Sequence, residues 1–203
     1  MDETQLIDYA RRGDLDAFNR LVLIYQETVF NVAARILSDD ALAEDAAQTA
    51  FINAYRNLKS FRGGSFRAWL LQTVTNACYD ELRRQKRRPT TPLEPFSEDG
   101  SDEVESPSWL ADDAPSPENV LINKEIGRAV QDCLKRLPDE FRTVVVMVDL
   151  EKCDYLEVAV AIGKPLGTVK SRVARARLKL RDCLQNLVEL LPVNNRLLNE
   201  EKA

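Results

Sequence analysis

Apolar side chains recur at three- and four-residue spacing through most of the chain, the period of helices that bury one face. In residues 14–37 the stripe is Phe18, Leu21, Val22, Tyr25, Val29, Val32, Ala33 and Ile36, with Asp14 or Asp16 placed to cap its start. Residues 39–58 repeat it with Leu42, Ala46, Ala50, Phe51, Ala54 and Leu58. Residues 65–88 do so with Phe66, Trp69, Leu70, Val74, Ala77, Cys78 and Leu82. A shorter helix is predicted over 4–12. Gly13, Gly63 and Gly64 fall at the turns between these segments. Further along, helices are predicted over 118–137, 138–151 and 154–163, with another beginning after Pro165. The run "VVVMV" within 138–151 also suits a buried strand when read alone. Pro138 fits a helix start and no partner strand is visible, so helix is the better reading.

Charge then divides the chain. Residues 1–90 hold 13 basic and 12 acidic side chains, residues 91–123 none and 9, and residues 124–203 hold 15 and 12. Six of the nine prolines lie between Pro89 and Pro117. Low hydrophobicity, acid and proline together predict an unfolded tether. The expected fold class is therefore all-α. Two small helical domains, 1–89 and 118–185, are joined by a flexible acidic linker over 90–117 and followed by a tail over 186–203.

Composition narrows the chemistry. The chain of 203 residues has no histidine, so Ser-His and Cys-His pairs and histidine metal ligands are excluded. It has no glycine-rich phosphate loop. No enzyme, catalytic residue, metal or cofactor is expected. The four cysteines, Cys78, Cys133, Cys153 and Cys183, lack zinc-site or C-x-x-C spacing and are expected to be reduced, mostly buried thiols. The acidic, polar N-terminus does not read as a signal peptide, and no apolar run reaches the ~20 residues of a membrane span. A cytoplasmic protein without membrane insertion is expected.

One segment breaks the acidic balance of the chain, whose net charge is −5. From Lys164 to Arg181 there are seven Lys or Arg and no acid. The preceding helix, the turn "GKPLG" and this basic helix form a helix-turn-helix pattern. Gly163 suits the left-handed position that ends one helix, and Pro165 fixes the start of the next. Val169, Val173, Ala176 and Leu180 face inward. Lys170, Ser171, Ala174, Arg175, Arg177 and Arg181 face outward, a set suited to base edges in a major groove. Thr168 and Arg172 flank it and suit phosphate oxygens.

The stretches "AEDAAQTAFINAYRNLKSFRGGSFRAWLLQTVTNACYDELRRQKRR" and "DYLEVAVAIGKPLGTVKSRVARARLKL" carry a resemblance. The first resembles the second conserved region, and the second the fourth, of bacterial RNA polymerase sigma factors of the extracytoplasmic-function (ECF) type in the sigma-70 superfamily. The resemblance spans about residues 5–89 and 118–185. It implies a subunit that lends promoter recognition to core polymerase. Asp45, Gln48, Thr49, Ile52, Asn53 and Arg56 would dock on the clamp coiled coil of the beta-prime subunit, and the second domain would sit at the beta flap. Arg62, Gly63, Gly64, Ser65, Phe66, Trp69 and Asn76 would open the −10 element and hold a flipped base. Arg83, Arg84, Arg87 and Arg88 would bind its phosphates. Thr168, Lys170, Ser171, Arg172, Ala174, Arg175 and Arg177 would read the −35 element. The resemblance further implies an anti-sigma partner and a linker that threads toward the basic active-site cleft. The acidity of the linker, with Trp109 and Leu110, fits a mimic of RNA there, the alternative being a merely solvated spacer. Thr49 stands where the family often has an acid, "FRGGSF" is one residue shorter than the common loop, and Ala68 replaces a frequent threonine. The competing readings are a helix-turn-helix regulator that binds an operator without polymerase and a redox-sensing interaction protein.

Overall fold

A computed structural model describes residues 2–87 and 117–188. Arg88, the linker with Trp109 and Leu110, and the end of the tail lie outside the described residues, as do the expectations placed on them. The described residues form α1 (Glu3–Arg11), α2 (Leu15–Leu37), α3 (Asp40–Asn57), α4 (Phe66–Arg87), α5 (Pro117–Lys135), α6 (Asp139–Val145), α7 (Tyr155–Ile162) and α8 (Leu166–Val188). A single 3₁₀ turn, Leu58–Ser60, follows α3, and a π-type turn, Val146–Leu150, extends α6. There is no strand among the described residues. The "VVVMV" run is helical and buried on α6 and its extension.

Local chemistry sets the helix ends. Asp2, Asp14, Asp39 and Asp154 each accept a hydrogen bond from a backbone N–H of the helical turn next to them, satisfying donors that have no partner inside the helix. Asp14, not Asp16, caps α2. Gly163 closes α7 at φ 61°, the left-handed conformation expected of it.

α1, α2, α3 and α4 pack on one another, and α6, α7 and α8 do the same with α5 against α8. The two groups are not held apart. α7 lies on α4, and α2 touches α5, α6 and the π turn. Their apolar residues form one continuous core, from Leu21, Val32 and Ile36 to Val144, Met147 and Val158. Arg142, 7% exposed, joins them at depth. Its guanidinium donates to the carbonyls of Leu134, Lys135 and Leu137 and to that of Ile36 at the end of α2.

The expectation of four reduced thiols fails at two positions. Cys133 on α5 and Cys183 on α8 are joined as a disulfide, Cα atoms 5.8 Å apart. Spacing along the chain could not show this pair, because its members are separated by 50 residues and meet only when α8 folds back along α5. Cys78 and Cys153 are free and buried.

Candidate nucleic-acid interface

The loop between α3 and α4 is built on aromatic rings. Phe61 and Phe66 are 6% and 2% exposed and meet edge-on at 5.6 Å, with Trp69 at 5.4 and 5.6 Å from them and Tyr25 at 5.7 Å from Phe66. Phe66 thus anchors the loop in the core and presents no face to a ligand. Above this base Arg62, Gly63, Gly64 and Ser65 are exposed. Gly63 and Gly64 have φ of 95° and 90°, which side chains rarely adopt, so the pair turns the backbone sharply outward. Ser65 Oγ accepts from the Ala68 N–H at 3.1 Å and so starts α4.

Beside the loop, α3 and α4 enclose a polar groove of about 780 Å³. Asp45, Gln48, Thr49 and Asn53 line one wall; Trp69, Asn76 and Arg84 line the other. The fold therefore brings together residues assigned from the sequence to two different partners. Ile52 and Arg56 stay off this groove on exposed α3 surface, Ile52 with 45% of its area free. Arg83, Arg84 and Arg87 are exposed at the end of α4. Arg83 and Arg84 pair with Asp80 and Glu81 one turn back.

On α8, Val169, Val173 and Ala176 are buried and Leu180 partly so. That burial turns Lys170, Ser171, Ala174, Arg175 and Arg177 to the surface. Thr168 and Arg172 are half-buried at its edge. Two of these cations are engaged: Arg172 by Glu140 and Arg177 by both oxygens of Asp149. Lys170 and Arg175 are the exposed cations on this face that no acid among the described residues pairs with in this way.

The contact that sequence reasoning missed joins the loop to α7. Ser65 Oγ donates to Glu157 Oε1 at 2.9 Å, and Arg67 reaches Glu157 Oε2 at 3.4 Å and the Glu151 carbonyl at 2.6 Å. Leu156 and Val160 of α7 complete a cleft of about 340 Å³ whose other wall is Phe61 to Ser65 and Trp69. Further down α4, Tyr79 donates to Thr143 at 3.0 Å and Lys86 pairs with Asp139 at 2.7 Å. Arg35 faces Glu151 at 3.7 Å. Burial pushes the Glu151 carboxyl above its usual range, with Arg35 and Arg67 acting against it. The D-x-x-E signature at 154–157 is a sequence signal for a capping box, and it is formed. Nothing local announces that the same glutamate reaches a loop 92 residues away.

Comparison with known proteins bears on this arrangement. Residues 21–88 match the family model for Sigma-70 region 2, and residues 127–180 match that for Sigma-70, region 4. The chain is 35% identical over 187 residues to the RNA polymerase sigma-H factor of Pseudomonas aeruginosa, covering 92% of this chain and 95% of that protein. It is 34% identical over 182 residues to the ECF RNA polymerase sigma factor SigW of Bacillus subtilis, covering 89% and 96%. Among solved structures, CnrH in complex with the cytosolic domain of CnrY is similar with a TM-score of 0.65 at 22% identity, covering 89% of this chain and 96% of that one. The sigma factor RpoE in complex with the anti-sigma factor NepR from Bartonella quintana gives a TM-score of 0.62 at 22% identity, covering 84% and 98%. With the order of its two matched regions, its all-helical fold and its identity over nearly the whole length of these relatives, the chain belongs to the ECF sigma factors of RNA polymerase.

Proposed function

We propose that this sigma factor meets core polymerase and promoter DNA through three surfaces. The exposed side of α3 with Ile52 and Arg56, next to Asp45, Gln48, Thr49 and Asn53, takes the clamp coiled coil. The loop Arg62–Ser65 and the groove wall with Asn76 take the melted −10 strand, and Arg83, Arg84, Arg87 and Arg88 hold its phosphates. The α8 face takes the −35 element, with Lys170, Ser171, Ala174 and Arg175 at base edges and Thr168, Arg172 and Arg177 near phosphates. The domains run over 1–89 and 118–185, with the tether between. The protein works in the cytoplasm beside polymerase, is not an enzyme, and is held in reserve by an anti-sigma protein.

The single observation that carries this reading is the pair of cationic, differently built surfaces in one chain. One is a glycine loop over an aromatic base, the other a helix held in a helix-turn-helix. Promoter elements of this kind lie roughly 70 Å apart on the duplex. With Ser65 and Arg67 hydrogen-bonded to α7, the two surfaces sit side by side. Engaging both elements requires the contacts of α7 with α4 to part. The tether of 29 residues from Pro89 to Pro117 spans about 100 Å when extended, long enough for this.

Run-off transcription with core polymerase tests the reading. Promoter-dependent transcripts are expected only with core present. Full-strength, sequence-specific binding to a palindromic operator without core would replace it with the independent-regulator reading. For that regulator a dimer on the palindrome is expected.

A further inference from the structure

The disulfide between α5 and α8 has no part in the surfaces above, yet its position gives it a hold on one of them. The covalent ring closed by Cys133 and Cys183 contains α6, α7 and α8 as far as Cys183 itself. Every residue of the helix-turn-helix therefore lies inside the ring, and every residue of α1 to α4 lies outside it. Cys133 is 1% exposed, whereas Cys183 is only partly buried near the solvent-facing end of α8. The bond is shielded on one sulfur and approachable at the other. Gln131, two residues before Cys133, donates to Ser38 Oγ at 2.9 Å, so α5 keeps its own anchor on α2 whatever the state of the bond.

We propose that Cys133 and Cys183 form a thiol–disulfide exchange site for a cellular dithiol, and that its oxidation state sets how firmly the α8 reading helix is held. A thiolate of the dithiol attacks Cys183 Sγ. The S–S bond breaks, its electron pair leaves on Cys133 Sγ, and that sulfur takes a proton. The second thiol of the reagent then attacks the reagent sulfur bound to Cys183, which departs as a thiol, and the reagent leaves as its own disulfide. The chain gains two electrons and two protons. A disulfide oxidant reverses the sequence. Hydrogen peroxide also closes the bond, forming two waters from two thiols and one peroxide. Cross-linking so long a loop restricts the unfolded chain strongly, so opening it weakens the helix-turn-helix. Cys78 and Cys153 are poor partners for the same chemistry, being 0% and 4% exposed. That exchange occurs in the cell rests on the cytoplasmic setting proposed above, where lasting disulfides are uncommon and redox-active ones are the usual kind. The bond itself does not depend on that setting.

The test uses the full-length chain and neither polymerase nor DNA, so its failure is separate from failure of the sigma reading. Protein equilibrated in oxidised glutathione, or reduced with dithiothreitol, is acid-quenched, denatured and alkylated, and its peptides are weighed. Alkylation at Cys78 and Cys153 alone is expected after oxidation, and at all four cysteines after reduction. Hydrogen exchange on the two forms should differ by at least about tenfold within residues 139–181 and not at all within 15–87. The double variant Cys133→Ser, Cys183→Ser should exchange like the reduced form and ignore dithiothreitol. Four alkylated cysteines even in oxidised glutathione would overturn the site. Equal exchange in both forms would overturn its hold on α8.

Discussion

The Glu157 carboxylate accepts from three donors: the Asp154 N–H at its own helix start, the Ser65 hydroxyl and the Arg67 guanidinium. Replacing it by glutamine removes the charge and keeps the shape, a loss of about 1 kcal/mol for a half-buried pair still reached by solvent. Glu157→Lys turns the Arg67 contact repulsive. It is expected to enlarge the radius of gyration in small-angle scattering and to admit a single-stranded −10 oligonucleotide without polymerase; an unchanged radius would remove Glu157 from the account. Arg142 acts at greater depth. Arg142→Met keeps the stem but leaves four carbonyls without their donor, a cost of about 2–4 kcal/mol to be read from the urea midpoint. Arg142→Lys should recover little, because one ammonium cannot span that fork. Burial pushes the Cys78 thiol from 9.0 up to about 12 and that of Cys153 up to about 11. An unfolded Cys78 ionises near pH 9 while the folded one does not. Its contribution to stability is therefore whole below pH 9 and declines as the pH rises toward 12. Native protein at pH 8 should resist iodoacetamide at both positions.

At the scale of elements, α3 and α8 each present a face whose direction follows from what the opposite face buries. On α8, burial of Val169, Val173 and Ala176 leaves Lys170 and Arg175 free to approach base edges. The pair Lys170→Ala, Arg175→Ala should lower −35-dependent initiation by about 1–3 kcal/mol per good base contact without changing the melting temperature. On α3 the exposed side with Ile52 and the groove side with Asn53 are different surfaces. Ile52→Glu should abolish binding to core polymerase, whereas Asn76→Ala on α4 should leave that binding intact and slow promoter opening. If both variants lose core binding equally, the division between the exposed side of α3 and the groove wall on α4 is wrong. The turn before α8 is set by backbone alone: Gly163→Ala at φ 61° should cost about 1 kcal/mol, seen as a lower melting temperature.

The whole molecule holds cations against its own acids. Arg67 faces Glu157, Lys86 faces Asp139, Arg172 faces Glu140 and Arg177 faces Asp149. Arg67 and Lys86 lie on α4 and are partnered by acids of the second helical group, whereas the Arg172 and Arg177 pairs lie within that group. With a net charge of −5, the chain as a whole disfavours unguided approach to phosphate. If polymerase separates the two groups as proposed, Arg67 and Lys86 lose these acids, while Arg172 and Arg177 keep theirs until phosphate displaces them. The affinity of the holoenzyme for promoter should fall with salt, and each phosphate-binding Lys or Arg removed should lessen the slope of log K against log salt by about 0.9.

Helix positions, caps and the inward and outward faces of α8 were legible from the sequence. All of them follow from interactions within four residues: the apolar period, Asp at helix starts and glycine at φ above zero. The family was legible too, because its motifs are local strings such as "FRGGSFRAWL" and "GTVKSR". Tertiary structure alone decided the rest. Cys133 meeting Cys183, Glu157 meeting Ser65, and Arg142 meeting Ile36 join residues at least 50 positions apart. Two helical groups linked by a long tether can be placed side by side or far apart at nearly the same chain entropy. The choice between those placements rests on how well two surfaces complement each other in three dimensions, which no period along the chain records.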